Sequence, residues 1–229
     1  MNHGNHIYET KEYLPSFLVP FIHSQGFIDA DLDGDLDIVI IEDKFFNQFH
    51  LFINEGFNNS GEPILRNAFI QSRLDTSSSR ALAIIDYDND GDMDWFVTSI
   101  HNLELTGEQD DIARTLFGNR LYRNDGNGAF SDISNGTGIA NGGWGWGACA
   151  ADFDNDGLLD IFHVNGWIDS ALGDFTADRL RFYHATGNAE FRERSAVVGL
   201  DDTGQGRGVA CFDIERDGDI DIVISNNSD

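Results

Sequence analysis

The sequence predicts an all-β chain made of propeller blades, and three observations support this fold class. A nine-residue acidic motif, D-x-[DE]-x-D-G-x-x-D, occurs four times. Its copies begin at residues 29, 86, 152 and 213, which are 57, 66 and 61 residues apart. Strand-length runs of β-branched and aromatic residues flank the motif. A repeat of about sixty residues built from strands is typical of propeller blades or of a related array.

Length and composition indicate a single folded domain, residues 1–229, with a strong negative charge. The 229 residues include 14 basic and 40 acidic side chains, for a net charge of −26, while 41% are hydrophobic, which is ample for a packed core. So much negative charge repels phosphate backbones and anionic leaflets, so we expect no nucleic-acid partner. No stretch approaches the ~20 apolar residues of a membrane span, and residues 1–10 show no signal peptide.

The repeats divide the chain into four blades with four expected strands in each. The blades cover approximately residues 22–78, 79–144, 145–205 and 206–229, the last completed by 1–21. First strands before the motif are predicted at 81–85, 148–151 and 209–212. Second strands after it are predicted at 38–41, 95–98, 161–164 and 222–225. Aligned segments at 51–56, 121–126 and 182–187 predict third strands, and Phe130 and Phe191 begin fourth strands.

The four repeats could form part of a larger propeller or a closed ring. Residues 6–10 read like a third strand that would complete the last blade if the chain closed head to tail. Against closure, the stretch from His6 to Asp29 is 23 residues, where that from Leu121 to Asp152 is 31. We therefore expect a partial propeller, with a closed four-bladed ring as the alternative. Open blade edges would favour self-association.

Each acidic motif is interpreted as a calcium loop. Carboxylates packed this closely repel one another, so a folded loop needs a counter-charge, which a hard cation with several oxygen ligands supplies. Ca²⁺ suits flexible carboxylate loops better than Mg²⁺, which demands stricter octahedral geometry. Side chains at positions 1, 3 and 5 are expected to turn inward, and the glycine at position 6 to allow the turn. Position 7 would offer its backbone carbonyl, and position 9 would close the site.

Four calcium ions are therefore expected, one per loop. The predicted ligands are Asp29, Asp31, Asp33, Asp35, Asp37, Asp86, Asp88, Asp90, Asp92, Asp94, Asp152, Asp154, Asp156, Leu158, Asp160, Asp213, Glu215, Asp217, Asp219 and Asp221. Leu158 fits position 7 because only its carbonyl is needed, whereas Glu215 and Arg216 are expected to lower the affinity of the fourth loop. Position 12 lacks the Glu of an EF-hand, and strands flank the loops, so helical calcium-binding pairs are excluded.

Segments 119–132, 145–147 and 206–210, together with the acidic loops, resemble a known family. They resemble the FG-GAP/VCBS repeat of integrin-α-like calcium-binding β-propellers, and most closely the ASPIC/UnbV (cartilage acidic protein-like) group, over nearly all of residues 22–229. The resemblance implies a seven- or eight-bladed propeller in a secreted or cell-surface protein that acts in adhesion or recognition. Four repeats are fewer than such a propeller needs, and the sequence shows no ASPIC/UnbV segment at its end.

A second predicted site is a ring of side chains on the inner strands. Six residues before the first aspartate of each loop lie His23, Arg80, Trp146 and Arg207. Six strand residues span ~20 Å, so the ring is expected near the face opposite the calcium loops. It would hold an acidic or carbohydrate-like partner, or it would only plug and cap the inner strands. Trp144 and Trp167 are weaker candidates of the same sort.

No catalytic motif accompanies these features. The G-x-S-x-G, H-E-x-x-H and G-x-x-x-x-G-K-[ST] patterns are absent, and acids such as Asp110 and Asp111 are interpreted as loop solubilisers. Cys149 and Cys211 are expected to be small buried apolar residues that form no disulfide framework.

The expected function is calcium-stabilised recognition or adhesion, without catalysis, with a protein or glycan ligand. The expected location is extracellular, periplasmic or at the cell surface. The alternative is the non-catalytic propeller part of a calcium-dependent hydrolase or lyase that acts on glycans or phospholipids.

Overall fold

The computed structural model describes residues 22–42, 49–69, 78–102, 117–168 and 173–227. Within these ranges the regular structure consists of β-strands. In chain order they are β1 (Ile22–Ile28), β2 (Asp37–Glu42), β3 (Phe49–Phe57), β4 (Pro63–Phe69), β5 (Leu82–Ile85), β6 (Asp94–Val97), β7 (Arg120–Asn124), β8 (Phe130–Asp132), β9 (Gly145–Ala151), β10 (Asp160–Asn165), β11 (Arg181–Ala185), β12 (Phe191–Glu193), β13 (Gly206–Phe212) and β14 (Asp221–Asn226). None of the described segments is a helix that could cross a membrane. The predicted all-β fold class is confirmed.

The strands form four antiparallel sheets, which we call blades 1 to 4. Blade 1 is β1-β2-β3-β4, blade 2 is β5-β6-β7-β8, blade 3 is β9-β10-β11-β12, and blade 4 is the described pair β13-β14. Successive strands pair in space, so each blade is a meander. The acidic loop joins the first two strands of every blade, and Phe130 and Phe191 begin fourth strands, as predicted. The sequence pattern does not mark the fourth strand of blade 1, β4.

The first strands of the four blades stand side by side in chain order. β1 contacts β5, β5 contacts β9, and β9 contacts β13. No comparable contact joins the described strands of blade 4 to those of blade 1. Phe27 in β1 and Val223 in β14 are exposed, whereas a closed ring would bury the faces that carry them. The array of described residues is therefore open and does not form the closed four-bladed ring. Residues 1–21, including the strand predicted at 6–10 to complete blade 4, lie outside the described residues.

Hydrophobic layers between neighbouring blades form the core. Alternate strand residues point to opposite faces of a sheet, so a middle blade packs against both of its neighbours. In β6, Trp95 belongs to the layer shared with Leu51 of blade 1, while Phe96 belongs to the layer shared with Tyr183 of blade 3. All four side chains have no exposed surface. Burying side chains of this kind stabilises a fold by roughly 1.5–3 kcal/mol each, so these layers hold the blades in register.

Glycines let the inner strands approach one another closely. A Cβ atom at Gly147 in β9 would lie 2.7 Å from the carbonyl oxygen of Arg207 and 3.1 Å from the nitrogen of Val209, both in β13. A Cβ atom at Gly26 in β1 would lie 2.7 Å from Cδ2 of Leu82 in β5. These separations are too short for ordinary contacts. A side chain at Gly147 would push the main chains of blades 3 and 4 apart, whereas one at Gly26 would require the Leu82 side chain to shift.

A disulfide joins Cys149 in β9 to Cys211 in β13, with the two Cα atoms 6.2 Å apart. The prediction that these cysteines are unpaired apolar residues is therefore wrong. The two cysteines are 62 positions apart in the sequence, which gives no sign of pairing, because only the packing of two inner strands brings the sulfur atoms together. The disulfide links blade 3 covalently to blade 4.

Candidate functional site

The four acidic loops share a hydrogen-bond pattern that shapes each turn. The position-1 carboxylate accepts bonds from the main-chain nitrogens of positions 5 and 6, and the position-5 carboxylate accepts one from position 7, all at 2.9–3.1 Å. The position-6 glycines have φ between 89° and 99°, a left-handed conformation that suits a residue without Cβ. They are Gly34, Gly91, Gly157 and Gly218. The turn therefore requires the glycine of the motif.

The ninth carboxylate of each loop is the first residue of the second strand. Asp94 accepts hydrogen bonds from the main-chain nitrogens of Tyr87 at 3.2 Å and Asn124 at 2.8 Å. Asp37 repeats the pattern in loop 1, at 2.8 and 2.7 Å. The ninth acid thus anchors the loop to the third strand, and its predicted role as a metal ligand stays a prediction.

Burial makes the ninth carboxylates of loops 1 to 3 costly to ionise. It raises the pKa of Asp94 to about 7 and raises the pKa of Asp37 and of Asp160 above the usual aspartate value. Nearby loop carboxylates raise these pKa values further. A divalent cation in the loop would favour the ionised form and offset the cost of burial.

Three loops bring metal-ligand atoms together. In each, one ligand atom from each of three side chains lies within 4.8 Å of the other two. The groups are Asp29, Asp31 and Asp33 in loop 1, Asp86, Asp88 and Asp90 in loop 2, and Asp154, Asp156 and His184 in loop 3. The described part of loop 4 shows no such group from Asp213, Glu215 and Asp217. Oxygen-rich groups of this kind fit a hard divalent cation, so the residues present suit the predicted calcium.

Positions 3 and 7 of the loops differ in their surroundings. Oδ1 of Asp31, at position 3, is buried and has no hydrogen-bond partner in the described structure. Burial raises the pKa of Asp31, and the neighbouring loop carboxylates add to the effect. The position-7 residues lie outside the convergent groups; they are Asp35, Asp92, Leu158 and Asp219. One of them, Asp219, accepts a hydrogen bond at 3.3 Å from Asn155 of loop 3, which links two neighbouring loops.

His184 is a loop-3 neighbour that the sequence analysis missed. It lies in β11, and its Nδ1 atom is 3.2 Å from Oδ1 of Asp160 and 3.6 Å from Oδ2 of Asp154. The aligned residues of blades 1 and 2 are Ile53 and Arg123. The sequence therefore distinguishes His184 only as a histidine at a position where the other two repeats have different residue types. The pairing of β10 with β11 places the imidazole beside the loop.

Three of the four predicted ring residues come together at the inner strands. The guanidinium of Arg80 lies 5.5 Å, and that of Arg207 4.4 Å, from the ring centroid of Trp146. Arg207 also lies 5.2 Å from the ring centroid of Trp167. We call Arg80, Trp146, Trp167 and Arg207 the arginine–tryptophan cluster. His23 lies in β1 with an exposed side chain, outside this cluster.

Main-chain hydrogen bonds hold the arginine–tryptophan cluster in place. Nε1 of Trp146 donates to the carbonyl oxygen of Gly166 at 2.9 Å, and Nη1 of Arg207 donates to the same oxygen at 3.1 Å. Burial lowers the pKa of Arg207. Trp144, which is buried, stacks on Trp167 with ring centroids 5.3 Å apart and connects the cluster to the core. These contacts support the capping role, and the binding of a partner stays a prediction.

A surface groove between blades 2 and 3 is a second feature that the sequence analysis missed. Two adjoining depressions, of about 700 and 360 Å³, share His101 and Asn141. Phe117 and Arg120 line the larger one, and Arg181 lines the smaller one. The groove combines aromatic and charged side chains from distant segments, so no local sequence motif predicts it.

Comparison with known proteins places these repeats in a family. A sequence model described as FG-GAP-like repeat matches residues 29–97 and 108–163, more than half of the chain. The first match contains loops 1 and 2, and the second contains loop 3, so both carry the strand–loop–strand unit described above. A search of curated proteins finds no match. The chain belongs to the FG-GAP-like repeat family.

Proposed function

We propose that the chain is a calcium-stabilised recognition module that acts outside the cytoplasm. The observation that carries the proposal is the repeated acidic loop, in which the same hydrogen bonds order the turn and, in loops 1 and 2, three carboxylates converge within 4.8 Å. Such groups repel one another unless a cation shares their charge. We also propose that the chain is part of a seven- or eight-bladed propeller and that it groups with the ASPIC/UnbV proteins.

Calcium is the cation that best suits these loops. The ligands are carboxylate oxygens on a flexible surface turn, and Ca²⁺ accepts six to eight oxygens with variable geometry. The central residues of loops 1 to 3 are exposed to solvent at one edge of the array. We therefore expect weak calcium binding, with Kd on the order of 10⁻⁴–10⁻³ M as in extracellular modules. Loop 4, whose acids do not converge, is expected to bind more weakly still.

Two further features support recognition outside the cytoplasm. The Cys149–Cys211 disulfide fits an oxidising compartment, because structural disulfides are rare in the cytosol. The arginine–tryptophan cluster places two guanidiniums on one indole in a chain whose net charge is −26. Cationic and aromatic surfaces of this kind recognise acidic or carbohydrate-like groups, so we assign the protein or glycan ligand to this face.

Calcium titration with a charge-matched control tests the metal. At 10 mM Ca²⁺ and a Kd of 1 mM, each occupied loop stabilises the fold by ~1.4 kcal/mol, so three loops raise Tm by on the order of 10 °C over the chelated protein. Asp86→Asn should remove one calcium equivalent in isothermal titration, whereas Asp201→Asn, an exposed acid outside the loops, should remove none. Equal melting temperatures with and without chelator would contradict the proposal.

Binding arrays test the recognition role separately. Calcium-loaded protein should bind particular glycans or matrix proteins, and the Arg80→Ala/Arg207→Ala variant should lose that binding by tenfold or more. Arg192→Ala, which removes an exposed arginine elsewhere, is the matched control. Binding that is the same in all three proteins would exclude the cluster as the contact surface. Hydrolysis of glycan or phospholipid substrates that depends on Ca²⁺ would favour the enzyme-associated alternative instead.

A further inference from the structure

We propose that loop 3 and His184 form a mixed imidazole–carboxylate site that binds a first-row transition-metal ion such as Zn²⁺ in preference to Ca²⁺. The inference rests on the proposed function only in one respect, that the acidic loops hold divalent cations. It distinguishes one loop from the others by the chemistry of its ligands.

The first supporting observation is the position of the imidazole. One ligand atom from each of Asp154, Asp156 and His184 lies within 4.8 Å of the other two. Nδ1 of His184 is 3.6 Å from Oδ2 of Asp154 and 3.2 Å from Oδ1 of Asp160. The His184 side chain is only 16% exposed, so its ring is held between the loop and the strand. A nitrogen lone pair that faces two carboxylates is repelled by them unless a proton or a metal ion lies between.

The second observation is a buried carboxylate oxygen without a partner. The Asp160 side chain is 1% exposed, and its Oδ2 has no hydrogen-bond partner in the described part of the chain. In the other three loops the matching oxygen accepts a bond from the main-chain nitrogen of position 2, at 2.8, 3.2 and 2.9 Å. Buried polar atoms are normally paired, so this oxygen of Asp160, whose other oxygen lies 3.2 Å from Nδ1 of His184, remains available to a further partner.

Among the three blades whose third strand is described, this arrangement is particular to loop 3. The residues aligned with His184 are Ile53, which offers no ligand, and Arg123, which pairs with Asp125 at 2.7 Å. Loop 3 also carries Leu158 at position 7, where the other loops carry aspartate. Loop 3 therefore has a nitrogen ligand in its convergent group, where loops 1 and 2 have carboxylates alone.

The ligand set determines which metal is preferred. Ca²⁺ takes oxygen ligands, and a nitrogen in the site gains it little. Zn²⁺ and neighbouring first-row ions bind imidazole nitrogen together with carboxylate oxygen, Zn²⁺ at ~2.0–2.2 Å. Asp154, Asp156 and His184 offer three ligands of such a site, and Asp160 lies beside the imidazole.

Zinc titration of the full chain in a calcium background tests the inference. With loops held in 5 mM Ca²⁺, Zn²⁺ should bind the wild-type protein with one site that is at least tenfold tighter than any other. His184→Gln, which keeps a polar side chain without imidazole, should weaken that site by tenfold or more and leave the calcium stoichiometry unchanged. His101→Gln and the double variant His3→Gln/His6→Gln are controls for binding by other histidines, and they should match the wild type.

NMR of the wild-type imidazole gives a readout that needs no variant. Binding of Zn²⁺ should move the ¹⁵N resonance of Nδ1 of His184 to the position of a metal-bound nitrogen, distinct from that of a protonated ring. A resonance that stays that of a protonated ring after zinc addition would show a simple ion pair and overturn the inference, as would equal zinc affinity in His184→Gln. Calcium binding without such a zinc site overturns this inference alone, whereas zinc binding without any calcium binding overturns only the calcium proposal.

Discussion

At the scale of single residues, His163 shows how the packing of two blades sets the chemistry of a side chain. It has no exposed surface and lies between the rings of Phe96 and Tyr183, with centroid distances of 6.1 and 5.6 Å. The side-chain nitrogen of Asn119 donates to Nε2 of His163 at 3.0 Å, which requires a neutral ring. Burial, with the charge of Arg181 as a smaller cause, lowers the pKa of His163 to about 3.

His163 is therefore expected to make the fold sensitive to acid. The folded protein binds the proton less tightly than the unfolded chain does, so the contribution of His163 is present above pH 6.5 and is lost as the pH falls toward 3. Between pH 6.5 and 4.5 the loss amounts to roughly 2–3 kcal/mol. Urea unfolding at both pH values should show this difference between wild type and His163→Gln, with His101→Gln as the control. Parallel pH profiles for wild type and His163→Gln would refute it.

At the scale of elements, the inner strands and the acidic loops depend on each other. The loops begin where the first strands end, and the ninth acids attach them to the second and third strands. Neighbouring first strands approach closely at Gly147 and Gly26, which keeps successive loops side by side. One direct link is the hydrogen bond, at 2.9 Å, from the Asn89 side chain of loop 2 to the carbonyl oxygen of Gly157 in loop 3.

A methyl group at Gly147 should separate blades 3 and 4. In Gly147→Ala the new Cβ would meet main-chain atoms of β13 at 2.7 and 3.1 Å, and these cannot move without displacing the strand. We expect a loss of about 1–3 kcal/mol in the free energy of unfolding, as for other overpacked sites. Gly208→Ala, whose Cβ would meet only the Ser225 hydroxyl, is the matched control and should cost less. Equal stability of the two variants in urea would be inconsistent with this account.

At the scale of the whole molecule, the blades form an open row in which each contacts its neighbours. Both ends of the row carry exposed hydrophobic side chains, such as Phe27 in blade 1 and Val223 in blade 4. The self-association expected from open blades stays a prediction, and these faces are where it would occur. Blade 4, of which two strands are described, is attached by inter-blade packing and by the Cys149–Cys211 disulfide.

Loss of the disulfide should destabilise the end of the row. Cross-linking residues 62 apart restricts the unfolded chain, which corresponds to roughly 4 kcal/mol in the chain-entropy description. The variant Cys149→Ala/Cys211→Ala should therefore unfold at lower urea concentration, and hydrogen exchange should increase first in β13 and β14. A reducing agent should lower the stability of wild type toward that of the variant and leave the variant unchanged. An unaltered urea midpoint in the variant would argue against the disulfide as a stabilising link.

Much of the fold was predictable from the sequence because its signals are local. The aspartates and the glycine of each motif lie within nine residues, and the turn they form depends on hydrogen bonds among those same residues. The runs of β-branched residues on either side of each motif are as long as typical strands, so they predict the strands that flank each loop. The strand β4 carries no motif, so its place in blade 1 could not be assigned in the same way. The candidate metal loops could be located from the sequence, but which of their acids converge depends on the folded turns.

The sequence alone determined the four acidic turns, the strands beside them and the all-β repeat, because each is encoded in neighbouring residues. Only the tertiary structure decided the disulfide, the stacking of Arg80 and Arg207 on Trp146, the place of His184 beside loop 3, and the open array. Each of these joins residues from different strands or different blades. Such contacts arise from the packing of whole sheets, and no short segment of the chain contains the information that specifies them.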